Sequence, residues 1–291
     1  LAVLGRAALA GLAASLAVCG AQAQASTLYG ILNGGYVESF DATTLAPLGY
    51  ITTPGATGLA FGGGTRYVST GGALTRYGAS GAVMATHTLP PGFTVGSLVA
   101  GGGEIYGILN GGYIETFDGA SLAPMAFIGT PGATGLAFGG GTRYVSTGGA
   151  LTRYDALGAV MATHTLPPGF TVGSLVVGGG EVYGILNGGY IETFDGASLA
   201  PLAFIGTPGA TGLAYGGGDR YVAAGSTLTR YDALGAAVAS YTLPQGYTVG
   251  SLVFAPSPAA VPEPSIWVIM IFGFAMVGTA VRRRGPAIAH G

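Results

Sequence analysis

Lysine is absent from this chain of 291 residues, and charge of either sign is scarce: ten arginines and twelve acids make up 8% of it. Ordinary globular chains carry about 25% charged residues. Arg6 lies near the start and Arg282, Arg283 and Arg284 stand together near the end, so between residues 26 and 281 six arginines face twelve acids. That mildly acidic body argues against a nucleic-acid partner, which needs a basic surface. Cysteine is almost missing too. The one copy, Cys19, sits in an N-terminal apolar stretch, and a chain beginning after it has neither disulfide nor thiol chemistry. Such a chain is held by burial and backbone ladders alone, and a region of this size buries about 70–75% of its unfolded surface.

The two ends read as address labels. Residues 1–25 have the form of a secretory signal peptide: Arg6 as the charged start, an apolar run over 7–18, and Ala21-Gln22-Ala23 or Ala23-Gln24-Ala25 as cleavage site. The opening Leu1 fits an unusual start codon or a few missing residues. An alternative takes Leu16-Ala17-Val18-Cys19 as a lipobox, but Val18 is bulkier than that signal accepts. At the other end, Val261-Pro262-Glu263-Pro264-Ser265 precedes an apolar run over 266–281, then Arg282, Arg283 and Arg284 and a short tail over 285–291. The run is short against the roughly 20 residues that span a bilayer. Trp267 at its entry and the arginines at its exit orient the exit toward the cytoplasm. A plain membrane anchor is one reading.

This tripartite arrangement resembles the PEP-CTERM sorting signal of Gram-negative bacteria. The Pro262-Glu263-Pro264 triplet, Trp267 three residues later, Gly273 and Gly278 within the apolar run, and the arginine cluster all match over 262–284. The resemblance implies that exosortase, a membrane-embedded cysteine transpeptidase-like enzyme, reads Pro262, Glu263 and Pro264. It implies a transmembrane helix over 266–281 as a transient holding device, and delivery to the cell surface, commonly alongside exopolysaccharide. Residues 255–261 form a Pro/Ala spacer that behaves as a short stiff tether.

Between these ends the chain repeats itself. The phrase Tyr-Gly-Ile-Leu-Asn-Gly-Gly-Tyr begins at Tyr29, Tyr106 and Tyr183, at a spacing of 77 residues. Each unit divides again. Residues 97–106 align with 135–144 on their glycines and tyrosine, and Tyr113-Ile114-Glu115-Thr116-Phe117-Asp118 aligns with Ala150-Leu151-Thr152-Arg153-Tyr154-Asp155. The true unit is used six times, and each copy holds four short stretches of strand character separated by Gly, Asn-Gly, Asp or Pro-Gly turns. Asn110-Gly111 reads as a hairpin turn in which both residues tolerate positive φ. Four antiparallel strands in about 40 residues indicate a propeller blade; a β-solenoid, with shorter coils and no hairpins, is the competitor. The expectation is an all-β, six-bladed β-propeller over 26–254. It begins on a second strand at 27–31, and the orphan first strand at 251–254 completes that blade and closes the ring.

Chemistry is harder to find. The strands expected to line the central channel, 58–61, 97–100, 135–138, 174–177, 212–215 and 251–254, contain no His, Asp, Glu, Arg or Cys. Lactonase-like hydrolases on this fold set metal-binding carboxylates and asparagines there, so no catalytic, cofactor or metal residue is expected. His87 and His164 are equivalent, but the third copy has Tyr241, so they read as outer-strand residues; His290 lies in the tail. Asp41, Asp118 and Asp195 sit where a side-chain oxygen caps a turn. The triple glycines occur in hairpins, not before a helix, and are not phosphate loops.

Charge falls toward one rim, with Glu104, Arg143, Arg153, Asp118 and Asp155. The opposite rim is uncharged and carries Phe93, Phe170 and Tyr247 at equivalent places. These aromatics either plug gaps between blades or stack on a neutral glycan with weak, multivalent affinity. The function expected is a non-enzymatic, exported binding or structural module, with exosortase, membrane and exopolysaccharide as partners. A permanently anchored periplasmic scaffold and a propeller hydrolase or lactonase are the alternatives.

Overall fold

The computed structural model describes residues Ala25–Ser257 apart from Thr52 and Gly188. The expected signal peptide, the helix over 266–281 and the sorting residues lie outside them. The chain enters on β1 (Thr27–Leu32), β2 (Val37–Asp41) and β3 (Pro47–Ile51). Next come β4 (Ala56–Gly62), β5 (Thr65–Thr70), β6 (Ala73–Tyr77) and β7 (Val83–Thr88), then β8 (Val95–Gly101), β9 (Glu104–Leu109), β10 (Ile114–Asp118) and β11 (Pro124–Ile128). A third meander holds β12 (Ala133–Gly139), β13 (Thr142–Thr147), β14 (Ala150–Tyr154) and β15 (Val160–Thr165). The fourth holds β16 (Val172–Gly178), β17 (Glu181–Leu186), β18 (Ile191–Asp195) and β19 (Pro201–Ile205). The last holds β20 (Ala210–Gly216), β21 (Asp219–Ala224), β22 (Thr227–Tyr231) and β23 (Ala237–Thr242), and β24 (Val249–Ala255) follows.

Each meander is one four-stranded antiparallel sheet, and β24 joins β1, β2 and β3 as the sixth, with Thr27 opposite Ala255 and Ile31 opposite Ser251. The result is the six-bladed propeller read from the repeat, closed by its C-terminal strand. Blade 1 is β24-β1-β2-β3, and blades 2 to 6 follow in chain order. Closure satisfies the edge of β1 that a bare meander would leave unpaired.

Burial peaks at the second strand of each blade and falls outward from there. Second strands such as β9 and β17 are buried almost throughout, whereas the outermost β3, β11 and β19 are exposed over four of five residues. These three edges each begin with proline, which removes a donor from the open side, and every outer pair carries a register shift. Both devices blunt pairing with other chains.

The interfaces between blades alternate in kind, which the repeat alone did not reveal. Three are large, with ten to twelve buried residues: blades 2/3 around Leu74 and Phe117, 4/5 around Leu151 and Phe194, and 6/1 around Leu228 and Phe40. The other three bury only five or six. Hydrogen bonds reinforce the large kind. Thr57 and Ser69 donate to the Val95 carbonyl at 2.6 and 3.0 Å, and Tyr67 donates to the Gly119 carbonyl at 2.8 Å. At the small kind, Arg143 lies over the Tyr106 ring at 5.6 Å and Tyr106 stacks on Phe138 at 5.7 Å. The ring is therefore three tightly packed blade pairs, and its chain ends meet inside one of those pairs.

The aspartates expected to cap turns do so. Asp118 Oδ1 accepts the Ala120 and Ser121 N–H groups at 3.1 and 2.7 Å and the Ser121 hydroxyl at 2.7 Å. Each capped turn ends on a leucine with positive φ, 62° at Leu45 and Leu122 and 61° at Leu199, and each of these side chains is wholly buried. A left-handed leucine costs about 1–2 kcal/mol. The cap and the burial of the side chain offset it.

Candidate functional site

The channel is lined by the first strands, as expected from the sequence. At the rim carrying the Asn-Gly-Gly turns it opens into a funnel of about 520 Å³ whose wall includes Thr57, Ser97, Ser174, Asn187, Thr211 and Ser251. Deeper in, about 220 Å³ is lined by main chain, apolar side chains and Ser97, Ser174 and Ser251, with Phe61, Phe138, Tyr215 and Phe254 toward the far end. The funnel is thus neutral and rich in hydroxyls. Among the described residues no group of three or more His, Cys, Asp or Glu is placed to hold a metal ion.

Phe93, Phe170 and Tyr247 lie at this rim, 42, 41 and 39% exposed. Each occupies the loop between one blade's last strand and the next blade's first. Asn110 holds the Phe93 loop from both sides, donating Nδ2–H to the Gly92 carbonyl at 2.8 Å and accepting the Thr94 N–H on Oδ1 at 3.0 Å. Asn187 makes the same pair around Phe170, at 2.8 and 3.0 Å, and Asn33 around Tyr247, at 2.7 and 2.9 Å. This corrects the sequence reading of the turn. Positive φ is taken by Gly111 and Gly112, at 92° and 77°, and not by Asn110. Asparagine is there for its amide, which fixes the aromatic loop to the hairpin.

Further aromatics join each copy. Tyr36, Tyr113 and Tyr190 close the Asn-Gly-Gly-Tyr phrase and are exposed, as are Tyr50, Phe127 and Phe204 on the outer strands. Tyr113 meets Phe127, and Tyr190 meets Phe204, at ring separations of 5.3 Å. In the first copy the Tyr50 phenol is raised, first by partial desolvation against its neighbours and then by Glu38, Tyr247 and Tyr241 nearby. Sequence reasoning missed these residues, although the repeated phrase contained three of them.

His87 and His164 stand on outer strands, as expected, and turn inward onto Phe117 and Phe194 at 5.6 and 5.5 Å. Tyr241 packs likewise on Phe40 at 6.0 Å. Beside them lie Glu115, Glu192 and Glu38. Burial raises all three carboxyls, and the histidines draw the first two partly back. Glu38 is only 4% exposed and its Oε2 has no hydrogen-bond partner.

The charged rim gathers the Gly-Gly-Gly hairpins and the Asp-capped turns. Tyr106 donates to Glu104 Oε2 at 2.6 Å; burial first, and then this carboxylate, push the phenol up to about 12. Arg153 donates to the Ala197 carbonyl at 3.0 Å, and Asp155 accepts the Leu157 and Ala159 N–H groups of its own turn. Arg230 and Asp219 form a salt bridge at 2.6 Å.

Residues 260–284 match the PEP-CTERM protein-sorting motif. The match spans Pro262, Glu263, Pro264, Trp267, Arg282, Arg283 and Arg284 and marks the chain as an exosortase-sorted, extracytoplasmic protein. No curated protein matches the chain. Among solved structures, one similar in fold is a protein of unknown function from Bacteroides caccae, with TM-score 0.61 and 10% identity over 79% of this chain and 99% of that one. Another is the β-propeller domain of Myceliophteria thermophila Cps50 (Swd1), at 0.55 and 14% over 72% and 80%. A chain of the mitotic checkpoint complex gives 0.56 and 17% over 72% and 71%. At these identities the likeness is one of fold.

Proposed function

We propose that this chain is a non-catalytic binding module, displayed at the cell surface or in an exopolysaccharide matrix, that holds neutral glycan on its Asn-Gly-Gly rim. The observation that carries the reading is the triplicate asparagine clamp, which holds Phe93, Phe170 and Tyr247 partly exposed around an uncharged, hydroxyl-lined funnel. A site built from aromatic faces with a few polar groups suits a sugar, which offers an apolar C–H face and hydroxyls at its edge. One such contact is weak. Three on a rim engage a polymer with an effective concentration that multiplies their affinity.

The sorting match supports the route: exosortase reads Pro262, Glu263 and Pro264, while the apolar run over 266–281 holds the chain in the membrane until processing. A permanently anchored periplasmic scaffold is the second reading, supported by the same apolar run. A hydrolase or lactonase needs a carboxylate and asparagine set around the channel, whose deeper wall offers main chain, apolar side chains and Ser97, Ser174 and Ser251 instead.

Two experiments test the proposal. The full chain carrying Phe93→Ala, Phe170→Ala and Tyr247→Ala is expected to lose retention on neutral polysaccharide by about ten-fold or more; unchanged retention sinks the glycan reading. Replacing Pro262, Glu263 and Pro264 by alanine is expected to trap the chain in the membrane fraction. Normal release of that variant overturns the sorting route.

A further inference from the structure

Three arginines at equivalent positions of the large interfaces keep different company. Arg230 donates its Nε–H to Asp219 Oδ2 at 2.6 Å and its Nη1–H to the Thr43 carbonyl at 2.7 Å. Arg76 and Arg153 likewise donate Nη1–H to the Ala120 and Ala197 carbonyls, at 2.9 and 3.0 Å. Their Nε atoms, however, are buried without a partner. The cause lies one strand away. Thr65 and Thr142 stand where the third copy has Asp219, and each gives its hydroxyl to the carbonyl of its own hairpin, at Gly62 and Gly139.

Beside Arg76 a cleft of about 310 Å³ opens between blades 2 and 3, lined in part by Thr65, Tyr67, Gly102 and Gly119. Two carboxylates lie nearby, and neither serves the arginine. Glu104 contributes to the wall, but side chains alternate along β9, so its carboxylate turns with Tyr106 toward blade 4, where it accepts the Tyr106 hydroxyl. Asp118 lies near enough to feel Arg76, but its hydrogen bonds run through Oδ1 to Ala120 and Ser121 and none reaches the arginine Nε. A buried donor left unmade is costly, and a guanidinium edge matches a carboxylate better than it matches water.

We infer that Arg76 and Arg153 are two equivalent carboxylate-binding sites, and that the third, at Arg230, is filled by the chain's own Asp219. The ligand class is a small organic carboxylate, of a size the cleft admits, such as a sugar acid. These sites lie at the charged rim. They do not depend on the glycan reading of the opposite rim, and either stands if the other fails.

The test is a titration of the full chain followed at the arginine Nε–H resonances, using sodium glucuronate, sodium acetate and the uncharged methyl ester of glucuronate as probes. Two of these resonances, those of Arg76 and Arg153, are expected to shift with both carboxylates, and the ester to bind about ten-fold or more weakly. Equal affinity for acetate and glucuronate identifies a plain carboxylate site; tighter glucuronate binding identifies contact with the sugar ring. Thr65→Asp should remove the Arg76 shift, and Thr65→Asp with Thr142→Asp both shifts, while Thr65→Val keeps them. The proposal is overturned if neither carboxylate moves the two signals, if the ester moves them equally, or if the double aspartate variant titrates like the natural chain. The ester comparison needs no variant, so a misfolded substitution cannot rescue the idea.

Discussion

Asn33 and Thr248 lie 215 residues apart in sequence, yet Thr248 donates its amide N–H to Asn33 Oδ1 at 2.9 Å. The same side chain reaches the Gly246 carbonyl, so a clamp that is local in the other two copies here spans the seam of the ring. Asn33→Ala is expected to cost about 1–2 kcal/mol, the loss of two modest hydrogen bonds, and to lower Tm by roughly 2–8 °C. Hydrogen exchange at the Thr248 amide should speed up with it. An unchanged Tm and unchanged exchange would leave the clamp without a role in closure.

A second expectation concerns the axis. A Cβ placed on Gly178 would overlap the Tyr215 ring of the next blade, and one on Gly101 the Phe138 ring. Gly178→Ala should therefore destabilise by about 1–3 kcal/mol, as overpacking does. Adding Tyr215→Ala should make the glycine substitution nearly free. The coupling in a double-mutant cycle decides it: additive effects would mean that the two residues do not touch.

Glu38 sets a pH dependence. Its carboxyl is raised by burial from the ordinary 4.5. A carboxyl that holds its proton more tightly when folded stabilises fully below its unfolded value, and that contribution is lost as pH rises through the folded one. Glu38→Gln should thus raise Tm at neutral pH, by roughly 2–4 °C, and flatten the fall in stability just above the ordinary carboxyl range. Denaturation at several pH values checks this, and a lower Tm for Glu38→Gln at neutral pH would contradict it.

Leu122 supplies an inverted order of substitution. Alanine there keeps the left-handed backbone penalty and loses the buried side chain, whereas glycine loses the side chain but relieves the backbone. Both variants should be less stable than the natural chain, and Leu122→Gly should exceed Leu122→Ala by about 1 kcal/mol. Urea midpoints with equal m-values give the comparison. If alanine is the better tolerated, the turn is not strained.

The blades were legible because each is written locally: Gly-Gly-Gly, Asn-Gly-Gly and Asp turns punctuate short strands, and the unmatched strands at 27–31 and 251–254 announce their pairing. What stayed hidden depends on the neighbouring blade. Tyr67 reaches Gly119 across 52 residues and Arg76 reaches Ala120 across 44, distances at which no periodicity operates. The alternation of large and small interfaces follows from such contacts. So does the difference between Thr65 and Asp219, which looks trivial in an alignment of the copies and decides whether an arginine is paired. The asparagine of the repeated phrase was visible but misassigned: a turn-forming residue and a clamping residue look alike until the loop opposite is in place.

The closing strand also has mechanical meaning. β24 begins at the aromatic rim, where Val249 faces Leu32, and ends at the charged rim, where Ala255 faces Thr27 and the Ser257 amide reaches Ser26 Oγ at 3.2 Å. Tension entering at Ser257 and resisted at the aromatic rim runs along the strand. All six pairs of the β1–β24 ladder are then sheared together instead of being peeled one at a time. A propeller tethered through this end can be pulled taut by whatever its far rim grips without unpicking the seam that closes it.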